Sequence, residues 1–315
     1  MESPEYGQNS AMNSRLYCTF TSLIAWFDSE AVAGNRGQGI AWLRVIPFIL
    51  LHLACLAVFW VGYSHAALIA MLAAYAVRMF AITGFYHRYF SHKTFKARIW
   101  VESVFAFIGA ASAQRGPLWW AAHHRKHHRH SDTEKDLHSP RHGFLKSHMA
   151  WFLNHDAFGT DYDVIRDYAK RPFLRWLNRF DIIAPAALAV FMYVLGAALE
   201  RFAPATGTSG MQMLVWGFVV STVLLFHVTV SINSVAHVWG SRRFETDDNS
   251  RNNALLAMLT FGEGWHNNHH HYPNSVRQGF RWWELDMTFL ALKGMQLLGL
   301  TWDLKPVPLH LKRRP

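Results

Sequence analysis

The chain has 315 residues, 51% of them apolar, and its mean hydropathy of +0.02 averages long apolar runs against stretches crowded with Arg, Lys and His. That blockiness is the pattern of a multi-span membrane protein rather than of a soluble domain. A formal charge of +10 admits nucleic acid, anionic lipid or an anionic substrate as partner, and the apolar runs set nucleic acid aside; only two cysteines, Cys18 and Cys55, exclude a disulfide framework or a four-thiolate metal site, so metal chemistry would have to rest on His and carboxylates.

Residues 1–44 are polar, acidic first, and lack the basic-then-apolar order of a cleaved signal peptide, so they read as a cytoplasmic N-terminal segment. Four runs then approach the roughly 20 apolar residues that a bilayer requires: 45–63, 66–86, 182–199 and 213–239. The first two are separated by only a few residues, Ser64 and His65 among them, and the last two by ERFAPATGTSG, so each pair reads as a helical hairpin. A weaker run at 99–113 contains Glu102 and reads as an interfacial or re-entrant helix. With these four spans, all 31 Lys and Arg except Arg78 and Arg201 fall on one side, which the positive-inside rule makes cytoplasmic. The expected fold is all-α: an integral membrane protein with four transmembrane helices in two hairpins and a helical cytoplasmic cap, organised as a segment 1–44, one membrane domain 45–310 and a basic tail 311–315.

The 20 histidines are concentrated at the cytoplasmic rim. HHRKHHRHSD (123–132) alone holds five of them, and one HxxHH in isolation is as readily a solvated basic face as a ligand set. Yet His124, His127 and His128 stand at i, i+3 and i+4, His266, His269 and His270 repeat that spacing, and Asn233 and His237 form an i, i+4 pair. Such positions project from one helical face. His87 and His92 are spaced less regularly, which predicts that the second helix distorts or ends near them. Nine imidazoles exceed the four ligands of a zinc site. With a water held by Asn233 they would suit two first-row metals of about five ligands each, and iron, copper, zinc and nickel all accept imidazole.

At these residues the sequence resembles the membrane fatty acyl desaturases, specifically the stearoyl-CoA type. The resemblance covers roughly residues 45–305 and rests on HRYFSH (87–92), HRKHH (124–128), NSVAH (233–237) and GEGWHNNHH (262–270), supported by KSHMAW (146–151) and WDLKPVP (302–308). It implies two iron ions with all-histidine ligation: one held by His87, His92, His124, His128 and His269, the other by His127, His237, His266 and His270, with Asn233 reaching it through water. His123, His130 and His271 match no ligand of the family, and His138 reads as structural, on a carboxylate. His123 stands where an acidic residue is common in the animal enzymes. O2 would be the co-substrate, and electrons would come from a separate carrier (ferredoxin, rubredoxin or a b-type cytochrome with its reductase).

The implied activity is insertion of a cis double bond into a long-chain fatty acyl chain, acyl-CoA and delta-9 by the resemblance, in a multi-pass membrane protein with a cytoplasmic active site, a bacterial inner membrane being favoured over endoplasmic reticulum. Removing hydrogen from an unactivated CH2–CH2 needs an oxidant that no side chain provides. No residue need be a general base, and Glu263 reads as a structural contact or a proton shuttle. An apolar tunnel between the spans would hold the acyl chain, with Trp119 and Trp120 packed beside the HRKHH helix against substrate or core, and with Arg115, Lys146, Arg171 and Arg175 either at its mouth, holding phosphates or a thioester carrier, or in a solvated, lipid-facing role. Tyr75, about 18 Å below His87 on an ideal helix, would form the tunnel floor or an interfacial aromatic. Arg78 would pair with a carbonyl or line the tunnel, and His52, His65 and His227 read as packed or interfacial. Two rivals share parts of this pattern: an acyl or alkyl hydroxylase using the same histidine cage, and a metal transporter, which would place its ligands nearer the bilayer midplane.

Overall fold

The fold, a computed structural model, describes residues 27–30 and 39–313; most of the segment 1–44, Cys18 included, lies outside the described residues. An apolar helix α1 (Trp42–Ala54) continues through a 3-10 turn (Cys55–Ala57) to Val61 and stops at Gly62, whose positive φ (65°) a side chain would disfavour. The Ser64 hydroxyl accepts the Ala67 amide and opens α2 (His65–Ser91). Then follow α3 (Ile99–Ala110), α4 (Pro117–His130) with proline at its first position, the short α5 (Phe144–His148), and the amphipathic α6 (Pro172–Arg179). Next come α7 (Ile183–Phe202) and α8 (Gly210–His237), the latter opened by a capping box between Ser209 and Gln212. Short helices α9 (Ala254–Leu259) and α10 (His266–His271) precede α11 (Met287–Leu297), whose first turn is capped by the Asp286 carboxylate.

Among the described residues three helices, α2, α7 and α8, are long and apolar enough to cross a membrane; the first of the four runs forms the shorter apolar helix Val45–Val61. The hairpin ends meet. Ser64 Oγ lies 2.7 Å from Thr208 Oγ1, Gln212 Nε2 donates to Val61 O (2.8 Å), and Trp216 Nε1 donates to Gly62 O (2.8 Å). The histidine-bearing ends of α2 and α8 therefore lie together at the opposite end. Among the described residues the regular structure is helical apart from isolated bridges and one two-stranded antiparallel ladder, Lys96–Ala97 with Thr301–Trp302, which ties the chain leaving α2 to the C-terminal region. The expected basic tail is partly core: Leu311 is buried against Phe244, Phe280 and Val307.

The second helix runs past its expected end at residue 86. Ala81–Ser91 is a π-helix, and the His92 amide closes a five-residue bond to the His87 carbonyl (3.2 Å). All eleven residues of this segment are buried, packed against α3 and α4. Gly109 of α3 permits that packing: a Cβ there would stand 2.3 Å from the Tyr86 ring, whose hydroxyl donates to Ala106 O. Arg78, one turn before the π segment, is buried and satisfied by neutral acceptors alone: the Ala74 and Ala111 carbonyls and the hydroxyls of Ser221 and Thr222.

Candidate metal centre

Four segments bring nine histidines together. In the π segment, five residues rather than four separate hydrogen-bonded positions, so His87 and His92 share a face that an α-helix would split. On α4 and α10 the HxxHH spacing works as a regular helix repeat. Gly264 lets α10 approach, since a Cβ there would meet the Ala257 amide nitrogen at 2.1 Å. His237 stands in the 3-10 turn that ends α8, four residues beyond Asn233.

The ring nitrogens form two groups, each with its nitrogens within 4.8 Å of one another: His87, His92, His124, His128 and His269 in one, His127, His237, His266 and His270 in the other. The two HxxHH helices contribute crosswise. The i, i+4 pair of α4 (His124, His128) and the middle residue of α10 (His269) enter the group of five. The i, i+4 pair of α10 (His266, His270) and the middle residue of α4 (His127) enter the group of four. Two helices facing each other with one repeat thus build two adjacent nitrogen clusters.

Buried carboxylates set the ring tautomers. Nδ1 of His127 faces Asp136 (2.9 Å), Nδ1 of His237 faces Asp132 (3.0 Å), Nδ1 of His87 faces Glu263 (2.5 Å), and Nδ1 of His270 faces Asp248. A proton held on Nδ1 leaves Nε2 as a bare lone pair directed into the cluster. Nε2 atoms indeed face one another closely: His87 and His269 at 3.1 Å, His92 and His124 at 2.8 Å, His128 and His269 at 3.0 Å, His237 and His266 at 3.0 Å. His270 Nε2 is buried with no hydrogen-bond partner among the described residues, although its Nδ1 is committed to Asp248. Converging lone pairs and an orphaned buried nitrogen are what a bound cation would satisfy, so the donor set fits two imidazole-bound metal ions.

Burial, reinforced by neighbouring imidazoles, holds His92, His124, His128, His266 and His269 well below the ordinary histidine range, and burial takes His270 down to about 4 despite Asp248. They are neutral donors at physiological pH. Burial would raise the Glu263 carboxyl, but His87 and Arg88 outweigh it and keep it ionised. Arg88 is buried at 1% exposure and joins Glu263 (3.0 Å) to Asp286 (2.9 Å), with a further bond to Val276 O.

A cavity of about 490 Å³ reaches this centre. His87, His124, His127 and His266 form part of its wall, as do Glu263 and Asn233, while α1, α2 and α8 supply apolar side chains such as Phe48, Ile82 and Phe226. Trp119 and Trp120 line it, Trp120 stacked on the His124 ring (18° between planes) and the Trp119 indole donating to Ala157 O. His123 and His138 also face it, outside the groups of five and four; His123 Nδ1 bonds Trp119 O, and burial lowers the two rings to about 4 and about 3.

The expected head-group residues separate. Arg115 lines the cavity, whereas exposed Lys146 does not; Arg171 and Arg175 stand off it in ion pairs with Glu102 (3.8 Å) and Glu30 (3.5 Å). Of the two readings of Tyr75, tunnel floor or interfacial aromatic, its placement fits the second better. The cavity wall on α2 stops one turn short of it, at Met79, and the Tyr75 hydroxyl donates to Leu259 O (2.7 Å), which draws the ring onto Phe261 instead. Arg78 does not line the cavity, and His52, His227 and His148 form a hydrogen-bonded chain behind its wall. Sequence reasoning missed Asp132, Asp136 and Asp248. Their signal was acidic residues close after two histidine boxes, but pairings such as Asp132 with His237, 105 positions away, are invisible in a linear reading.

Comparison with known proteins gives one consistent answer. The family model described as "Fatty acid desaturase" matches residues 59–297. The chain is 36% identical over 285 residues, 90% of it and 72% of the relative, to the palmitoyl-monogalactosyldiacylglycerol delta-7 desaturase, chloroplastic, of Arabidopsis thaliana. It is 36% identical to the sn-2 palmitoyl-lipid 9-desaturase of Nostoc sp. (strain 36), covering 86% of this chain and 93% of that one. It is 35% identical to the icosanoyl-CoA 5-desaturase of Limnanthes douglasii, covering 88% and 78% respectively.

Proposed function

The chain belongs to the fatty acid desaturase family, and on that premise we propose that it is an O2-dependent membrane desaturase inserting a cis double bond at delta-9 of a long-chain fatty acyl chain, with residues 45–310 as the catalytic unit. The observation that carries this reading is a single apolar cavity bounded by imidazoles of both histidine groups. Two iron ions bound there would supply O2 activation and abstraction of hydrogen from adjacent carbons. Overall, CH2–CH2 becomes CH=CH, and O2 with two electrons and two protons from an external donor leaves as two waters.

The chain's own residues bind, orient and exclude. His87, His92, His124, His128 and His269 would hold one ion and His127, His237, His266 and His270 the other, with Asn233 holding a water. Asp132, Asp136, Asp248 and Glu263 keep the proton on Nδ1 of their histidines, so that Nε2 stays available. Phe48, Ile82 and Phe226 hold the acyl chain and keep bulk water from the reacting carbons. In the membrane we propose four spans in two hairpins, α1–α2 and α7–α8, beneath a helical cytoplasmic cap. Support comes from the junction of the two hairpin turns at Ser64 and Thr208 and from the concentration of Lys and Arg at the other end.

The test is gas chromatography–mass spectrometry of fatty acids from a host expressing the wild type or His127→Ala. A new monoene in the first and its loss in the second is the expected result. A hydroxylated product would instead support a hydroxylase, and saturated acids alone in the iron-loaded wild type would refute the reading.

A further inference from the structure

We propose that this desaturase draws its substrate sideways from the bilayer, as an acyl chain already esterified in a glycerolipid, rather than from water as a CoA or carrier-protein thioester. The inference rests on the desaturase reading and narrows it.

Beside the partly exposed Arg115 and Asp181, the exposed liners of the cavity are Phe27, Pro47, Ala113 and Ile182. They mark its opening, between the start of α1 and the start of α7, and all four are apolar. Phe27 is 48% and Ile182 41% exposed. Next to Ile182 in the chain, α6 adds exposed Phe173 and Trp176, stacked on each other at 6.0 Å, the kind of aromatic group that settles at a membrane interface. An opening ringed in this way is stable at the lipid surface and costly in water.

Charge points the same way. A CoA or phosphopantetheine thioester carries phosphates that call for uncommitted cations. The one cation in the cavity wall, Arg115, is 3.4 Å from Asp181 and donates to Phe158 O. Asp181 also accepts from Ser29 (3.0 Å). On α6 and just before it, each arginine meets a carboxylate: Arg171 Glu102, Arg175 Glu30, and Arg179 Asp28 (2.6 Å). Arg115, Arg171, Arg175 and Arg179 are thus each engaged by a carboxylate of the protein, although Lys170, exposed beside Arg171, has no such partner among the described residues. An ester-linked lipid needs none of them, because its head group stays in the interface while one acyl chain passes Ile182 into the cavity. This departs from the acyl-CoA carrier that the resemblance implied.

The experiment uses the full chain under an inducible promoter in a host without desaturases of its own. Saturated acyl chains and glycerol are labelled with different isotopes and chased until the label resides in glycerolipids; expression is then induced. Intact-lipid mass spectrometry follows double bonds in phosphate-bearing and neutral lipids, and a parallel extraction follows acyl thioesters. The expected result is monoene in lipids that keep their original glycerol–acyl pairing, at least about tenfold ahead of the thioester pool. Monoene appearing first in thioesters, with labelled lipids left saturated, overturns the inference and leaves the desaturase standing. Saturated chains in both pools from iron-loaded protein overturn the desaturase reading as well. Ile182→Asp supplies a second readout. Position 182 is 41% exposed at the start of α7, where an acidic side chain complements the helix N-terminus, and Ile182→Asn, the uncharged counterpart, controls for folding. Conversion of lipid-bound chains should fall about tenfold at unchanged iron content; unaltered conversion rules out access past Ile182.

Discussion

At the scale of the residue, this protein commits its buried charges to aiming neutral nitrogens. Asp248 touches His270, whose Nε2 has no other partner among the described residues, so the carboxylate alone sets where that lone pair points. Asp248→Asn should keep the shape and remove the charge, lowering iron affinity about 10–100-fold, read by iron per chain during chelator titration. Arg88 is different in kind. It is buried between Glu263 and Asp286, and removing it strips Asp286 of its cation and leaves Glu263 with His87 and Gln278 only. Arg88→Met should cost roughly 3–5 kcal/mol and appear as a large fall in melting temperature in detergent. Glu102 offers a contrary sign. Burial raises its pKa in spite of Tyr89 and Arg171, so the folded state binds its proton more tightly than the unfolded chain. Stability should therefore decline as pH rises from about 4.3 through the raised value. Glu102→Gln should abolish that slope and leave stability at pH 7 equal or up to about 1 kcal/mol higher, measured by melting at stepped pH.

At the scale of the element, regular repeats were readable and their interruptions were not. HxxHH on α4 and α10 announced shared faces because i, i+3 and i+4 neighbours need only a helix to meet. HRYFSH announced only that something irregular happens. The helix does not end there but widens, because the polar groups that look like a terminus are satisfied by long-range partners: Arg88 by Glu263 and Asp286, 175 and 198 positions away. No local pattern contains those residues. The π segment carries a specific expectation. Deleting Gly84 should tighten it toward α-geometry and rotate His87 and His92 off their common face. Iron should then fall from about two per chain to about one, since His127, His237, His266 and His270 draw nothing from this helix. Loss of both ions, or of neither, would contradict separate clusters.

For the whole molecule, the apolar runs located the long helices, but the cavity among them was legible only in part. Nearness to HRKHH puts Trp119 and Trp120 beside the cavity, whereas depth along a helix leaves Tyr75 open between tunnel floor and interfacial aromatic, because it does not reveal which neighbouring carbonyl will take its hydroxyl proton. Sidedness is the larger question, and it turns on α1. Its apolar stretch Val45–Val61 rises only about 26 Å, slightly less than a typical hydrocarbon core of about 30 Å. The proposal that it crosses rests on its attachments. Its far end bonds to the start of α8, and the chain at its near end pairs with Asn154 and Leu153, beside the cavity wall. A helix tied to both ends of the bundle is proposed to cross with it, local thinning absorbing the mismatch. Single cysteines in a protein freed of Cys18 and Cys55 test this in intact cells. Tyr63→Cys and Ala205→Cys should react with an impermeant maleimide from outside, and Ile40→Cys and Lys135→Cys only after permeabilisation. Labelling of positions 40 and 63 from one side would show that α1 lies on the membrane, and labelling of 135 from outside would turn the metal centre away from the cytoplasm and its electron supply.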